Sequence, residues 1–147
     1  MKEAALILVA LMLTYFALVN HVSLRPWNNL SATRPQLRST MVGLVPALLV
    51  IIALLRGQGL TLASVWLWVW LLLQIRQWWV PYWLGPTRLH KSFEWYSAGG
   101  YDHTLRFLHP PAGRPAPDWQ HVVLQALTLL AAVAVTLQAA GSRPTPS

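Results

Sequence analysis

Residues 60–80 read LTLASVWLWVWLLLQIRQWWV, and this stretch decides the fold. It carries one charge, Arg76, close to its end. A hydrocarbon core about 30 Å thick takes about 20 mostly apolar residues in a helix. A run this long and this apolar reads as a helix that crosses a membrane. A buried strand would be far shorter. Three more stretches obey the same rule: residues 4–20, 41–55 and 122–140. The second of these is short and contains Pro46. The expected fold is therefore all-α, an integral membrane four-helix bundle with one short interfacial amphipathic helix. Residues 1–140 form one four-span domain, residues 81–120 an interfacial loop, and residues 141–147 a disordered tail.

Composition agrees. Of 147 residues, 55% are hydrophobic and 10% charged. Soluble domains carry about 25% charged residues. The deficit excludes a disordered tail, an ordinary cytosolic enzyme and a coiled coil. With no cysteine, disulfide scaffolds, thiolate metal sites and dithiol relays are excluded too. The net charge of +7 does not point to nucleic acid. Its arginines are spread thinly and flank apolar runs, where anionic headgroups explain them.

Lys2 before the first apolar run is a feature of signal peptides. The run ends in Phe16-Ala17-Leu18-Val19-Asn20-His21, without a small-x-small cleavage pattern, so a retained helix is expected. Loop charges set the orientation. Lys2, Arg56 and Arg143 fall on one side. Arg25, Arg34, Arg38, Arg76, Arg88, Lys91, Arg106 and Arg114 fall on the other. The richer side, with loops 21–40 and 81–120, should face the cytoplasm, leaving both termini outside.

Turn and cap signals agree with the spans. Ser39 and Thr40 are candidate caps for the second helix. Arg56-Gly57-Gln58-Gly59 makes a tight turn, so helices two and three are antiparallel neighbours. Pro81 is expected to stop helix three. Asp118 is expected to cap helix four, after the stiff run Pro110-Pro111-Ala112-Gly113-Arg114-Pro115-Ala116-Pro117.

The helix faces carry two patterns. Trp78, Trp79, Tyr82 and Trp83 cluster where helix three leaves the membrane, as interface anchors do. Trp66, Trp70, Gln74 and Gln77 share one face at about 100° per residue. Helix four has its own stripe, His121, Gln125, Thr128, Ala132 and Thr136, and helix one aligns Thr14 with His21. Polar side chains at membrane depth usually face protein, so Trp66, Trp70, Gln74, Gln77, Gln125 and Thr128 are expected inside the bundle. A polar ligand cavity is the functional alternative. No acidic residue lies mid-span, which argues against a proton-driven transporter.

All five histidines map to the loop-rich side. Leu89, Phe93 and Tyr96 recur at helical spacing and define the interfacial helix. His90 and Glu94 lie one turn apart on it. With His103 and His121 they form the only set suited to zinc, iron or manganese, or to haem ligation. The spacing matches no established metal motif, and histidine is also an ordinary interfacial residue. No cofactor is the first expectation, and metal or haem the alternative. No serine stands in a nucleophile elbow, and no phosphate loop is present.

One further pattern spans residues 77–128. It comprises Trp78-Trp79-Val80-Pro81-Tyr82-x-x-Gly85, Phe93-Glu94-x-Tyr96, Tyr101-x-His103-Thr104-x-x-Phe107-Leu108, Pro110-Pro111, and Pro117-Asp118-x-x-His121-Val122. It resembles a family of small multi-pass bacterial membrane proteins of unassigned function. Its members carry similar Trp-Trp-x-Pro-Tyr, Phe-Leu-Pro-Pro and Pro-x-Pro-x-x-x-His series before the last helix. This chain departs by placing His109 before Pro110-Pro111. The resemblance implies that this loop is the ordered, characteristic part. It implies no activity and no catalytic residue. The leading expectation is a non-enzymatic membrane module. Its partners are the lipid bilayer and a membrane protein or a second copy. A metal- or haem-dependent enzyme and a small transporter are the alternatives.

Overall fold

The computed structural model describes residues 1–27, 37–85, 94, 96 and 104–142, with the side chains of the second helix from residue 43 onward. Four helices dominate: α1 (Lys2–His21), α2 (Leu37–Arg56), α3 (Leu60–Leu84) and α4 (Trp119–Gly141). α1 packs on α2 and α4, and α3 packs on α2 and α4, closing a four-helix bundle. The α3–α4 and α1–α4 seams are the most extensive, and α2–α3 is the sparest.

Successive helices run antiparallel. Lys2 Nζ donates to Leu55 O at 2.9 Å, so the start of α1 meets the end of α2. Tyr15 Oη donates to Gln120 O at 3.0 Å, so the far half of α1 meets the start of α4. One end of the bundle thus gathers Lys2, Arg56 and Gly141, and the other gathers His21, Leu84 and Trp119.

α1, α3 and α4 are long and apolar enough to cross a membrane, and α2 adds a shorter apolar stretch over Gly43–Arg56. The chain is a membrane protein. Large apolar side chains such as Leu11, Leu49, Leu62, Leu72 and Leu137 stand exposed on its surface. In lipid that outward face costs nothing, because the solvent is itself hydrocarbon. Cohesion inside must then come from close packing and hydrogen bonds rather than from escape from water. The interior shows both. Val9, Met12, Leu54, Leu67, Ala131, Ala132 and Val135 form its apolar core.

The α2–α3 turn follows the sequence. Gly57 and Gly59 take φ of 68° and 71°, a region that side-chain-bearing residues rarely adopt. Gly43 has a different reason for being glycine. A Cβ there would overlap the Phe16 ring, so α1 and α2 approach each other across it.

Two expectations about helix ends are corrected. Ser39 and Thr40 do not cap α2, because the helix already includes Leu37. Pro46 lies within α2 without breaking it. Pro81 does not end α3, which runs on to Leu84. Its missing N–H leaves the Gln77 carbonyl without its helical donor. Tyr96 Oη donates to that carbonyl at 2.6 Å, supplying from outside what the proline withholds. Helix four starts at Trp119, just before the expected span, with Asp118 as its cap. The expected interfacial helix lies outside the described residues, except that Glu94 and Tyr96 are helical. The tail beyond residue 142 lies outside them as well.

Candidate functional site

The polar chemistry collects where α3 ends and α4 begins. The strand-like segment leading into α4 builds it. Leu105 N donates to Pro26 O at 2.8 Å, fastening this segment to the chain after α1. Phe107 N donates to Pro117 O at 3.0 Å, and Trp119 N to Leu105 O at 2.9 Å. These bonds pair Arg106 with Asp118 in a short antiparallel bridge. They also bring Thr104 against the Asp118 carboxylate.

Asp118 is the hub and is only 1% exposed. Its Oδ1 accepts from His121 N at 2.9 Å, which makes it the N-cap of α4. The same oxygen lies 2.6 Å from His121 Nδ1. Its Oδ2 accepts from the Thr104 hydroxyl at 2.9 Å. A carboxylate at a helix N-terminus also meets the positive end of the helix dipole. The His121 ring stacks on Trp78 with centroids 4.0 Å apart, and Trp78 meets Tyr96 edge-on at 5.1 Å.

An Asp–His pair with a nearby hydroxyl invites comparison with a nucleophilic triad. The order is wrong for one. In a triad the hydroxyl contacts the imidazole, which takes its proton, and the carboxylate holds the other ring nitrogen. Here Thr104 bonds the carboxylate itself. His121 Nδ1 is committed to Asp118, so nothing passes from Thr104 to the ring. The arrangement fixes a helix start and clamps the loop to it.

The expected metal set is placed only in part. His121 lies in this node and Glu94 lies in the loop, while His90 and His103 fall outside the described residues. Among the described residues no group of three or more His, Asp or Glu could hold a metal ion.

The polar face expected inside the bundle is present as a ladder between α3 and α4. The Ser64 and Thr136 hydroxyls lie 2.7 Å apart, and Trp68 Nε1 donates to Thr136 at 3.0 Å. Gln74 Nε2 donates to Thr128 Oγ1 at 3.2 Å, and Thr128 Oγ1 in turn donates to Leu124 O at 2.7 Å. Trp79 Nε1 donates to Gln125 Oε1 at 2.7 Å. Gln125 Nε2 reaches back to Gln74 O at 3.4 Å. Among the described residues, Gln74 Oε1 is the buried side-chain oxygen left without a partner. Trp66 and Trp70 lie 4.9 Å apart and pack on the core, with Trp70 edge-on to Phe16 at 5.4 Å. Gln77 leaves the ladder and donates to Tyr96 Oη at 2.9 Å instead.

The expected membrane-interface anchors divide. Trp83 is 60% exposed, and Trp79 and Tyr82 are half-buried. Trp78 is corrected: at 4% exposed it faces His121 and Tyr96 inside the protein. Trp79 gains a neighbour that spacing did not show, the Phe107 ring at 6.2 Å, which in turn meets Trp119 at 4.7 Å. Arg114 closes this end of α3 by donating to Trp83 O at 2.7 Å.

Tyr15 and Trp27 escaped the sequence reading, and Thr104 entered it only as one position of the resembling pattern. Trp27 Nε1 donates to Tyr15 Oη at 2.8 Å, which continues to Gln120 O. A lone tyrosine within an apolar run was the available signal for Tyr15, because its hydroxyl needs a partner at that depth. Thr104 had no local signal.

No family model, curated protein or solved structure matches the chain. The geometry above therefore carries the functional reading.

Proposed function

We propose that this chain is a non-enzymatic, four-span module of a bacterial inner membrane that binds lipid and a membrane protein or a second copy of itself. The observation that carries this reading is how its polar groups are used. Thr104, Asp118 and His121 bond one another at the start of α4, and Ser64, Gln74 and Trp79 of α3 bond Thr136, Thr128 and Gln125 of α4 across the seam. Groups used this way hold helices together and leave little for a reaction. Both termini outside, with loops 21–40 and 81–120 in the cytoplasm, is the matching orientation. It is supported by the bundle ends, since Lys2 and Arg56 share one end and Arg25, Arg106 and Arg114 belong to the other.

Native mass spectrometry of the full chain, gently extracted from membranes, tests the reading. Retained lipid together with a second copy or a co-purifying membrane protein is expected. A bare monomer, with neither lipid nor partner after cross-linking in membranes, overturns it. Elemental analysis without an affinity tag tests the enzyme alternative, which one iron, zinc or manganese per chain would favour. Because the chain lacks cysteine, a single one at Ser39 or Ser142 reports sidedness cleanly. Labelling of whole cells only at Ser142→Cys is the expected pattern.

A further inference from the structure

α3 turns two unlike faces inward and outward. Leu67, Leu71 and Trp78 are buried in the bundle. On the opposite side Leu62, Val65, Val69, Leu72, Arg76 and Trp83 recur at helical spacing and share one face. Each of them is exposed. The apolar members need no explanation, because hydrocarbon is their solvent. Arg76 does. Among the described residues, none forms a hydrogen bond or an ion pair with its guanidinium.

Bonds between α3 and α4 fix the depth of Arg76. It stands between Gln74, which bonds Thr128, and Trp79, which bonds Gln125. It is therefore level with residues 125–128, inside the apolar run of α4. The start of α4 at Trp119 is about six residues away, or about 9 Å at 1.5 Å per residue. The Cα–Cβ bond of a helical residue tilts toward the helix N-terminus. That terminus of α3 lies at the opposite end of the bundle. The Arg76 side chain thus sets out toward the bilayer centre, away from the nearer headgroups. A charge so placed is costly in hydrocarbon and ordinarily has a partner.

We infer that this outward face of α3 docks a transmembrane helix of another protein, and that a carboxylate on that helix pairs with Arg76. This rests on the membrane-module reading and names the chemistry of its protein partner. A second copy in the same orientation does not fit the face. The acidic residues of the chain are Glu3, Glu94, Asp102 and Asp118. Glu3 is at the far end of the bundle, in the first turn of α1. Glu94 and Asp102 fall in the sequence between α3 and α4, and Asp118 is buried beneath its own partners. None belongs to an apolar span level with Arg76, and like faces would bring two guanidiniums together. The planar guanidinium fork suits a carboxylate in two-point contact. An Asp or Glu within a foreign span is equally costly alone and gains from the same contact.

The test places the full chain in phosphatidylcholine vesicles with a dansyl-labelled synthetic helix of leucine and alanine, and reads energy transfer from the chain's tryptophans. The helix carries Glu, Gln or Leu at the position level with Arg76. The Glu helix should associate about tenfold more tightly than the Leu helix, with Gln between them. Arg76→Leu should erase that order, and Arg76→Lys should keep part of it. Arg76 faces outward, so both variants should unfold like wild type. Equal association of the three helices overturns the proposal. A benzophenone side chain in place of Leu72 gives a second readout in cells. Its adduct should be a membrane protein whose cross-linked span contains Asp or Glu, and Arg76→Leu should abolish it. An adduct that survives Arg76→Leu, or adducts with lipid alone or a second copy alone, overturn the docking face and leave the membrane module standing. A bare monomer with neither lipid nor partner overturns both.

Discussion

The α3–α4 and α1–α2 seams solve the same packing problem in opposite ways. Across α3–α4 the helices are joined by hydroxyl, amide and indole hydrogen bonds, from Ser64–Thr136 at one end to Trp79–Gln125 at the other. Across α1–α2 the described contacts are one hydrogen bond at one end, from Lys2 Nζ to Leu55 O, and a close steric approach, with the Phe16 ring set over Gly43. Such polar bonds are directional and set rotation and register. A ring over a glycine sets the distance between the helices but not their register. In a bilayer, where apolar surface gains nothing by hiding, this contrast separates a seam held by directional bonds from one held mainly by close approach.

The contrast can be broken from either side. The largest effect is expected at Asp118, which ends the bonded seam. Asp118→Ala removes the α4 cap and both side-chain partners. Loss of about 3 kcal/mol is expected, from a cap worth about 1 and a charged hydrogen bond worth about 2. Thermal or denaturant unfolding in mild detergent measures it, and a change within error of zero would mean that the hub bears no load. Gly43→Val comes next. Overpacking against Phe16 should cost about 2 kcal/mol, with part of the loss recovered by Phe16→Leu in the double variant. If the two losses simply add, the close approach is not what fixes this seam.

Tyr96→Phe should cost about 1–2 kcal/mol, because the Gln77 carbonyl loses its donor. The sharper version uses Pro81→Ala. An alanine N–H can reach Gln77 O by the ordinary helical bond, so Tyr96→Phe should cost less in that background. The smallest effect is expected at Gln74. Gln74→Met discards one bond to Thr128 and also the unpartnered Oε1, so stability should stay within about 0.5 kcal/mol of wild type. A large loss there would show that Oε1 is satisfied in the membrane.

Much of this architecture was legible in the residues. The apolar runs marked the helices, Gly57 and Gly59 marked the turn, and Asp118 stood where a cap was needed. The polar residues Gln74, Gln125 and Thr128 could be read as inward-facing, but that they meet one another across α3 and α4 could not, because the order of helix neighbours is not written in any one helix. The misreadings of Pro81 and Trp78 share one cause. Pro81 looked like a stop because the residue that compensates for it, Tyr96, is fifteen positions away. Trp78 looked like an anchor because its partners, His121 and Tyr96, come from distant segments. Local rules describe what a residue lacks. They do not show which remote side chain provides it. The metal set was equally out of reach, since the proximity of histidines in different loops is a tertiary fact.

The donors that finish α3 have a consequence for how the protein is made. Tyr96 serves Gln77, and Arg114 serves Trp83, a residue 31 positions earlier. Both lie downstream of the helix they complete. While the ribosome is still making the loop, the last turn of α3 therefore waits with open carbonyls. It can close only once that loop has emerged. Final seating of the third helix is thus tied to arrival of the fourth, and a chain halted after Leu84 would carry an unfinished end.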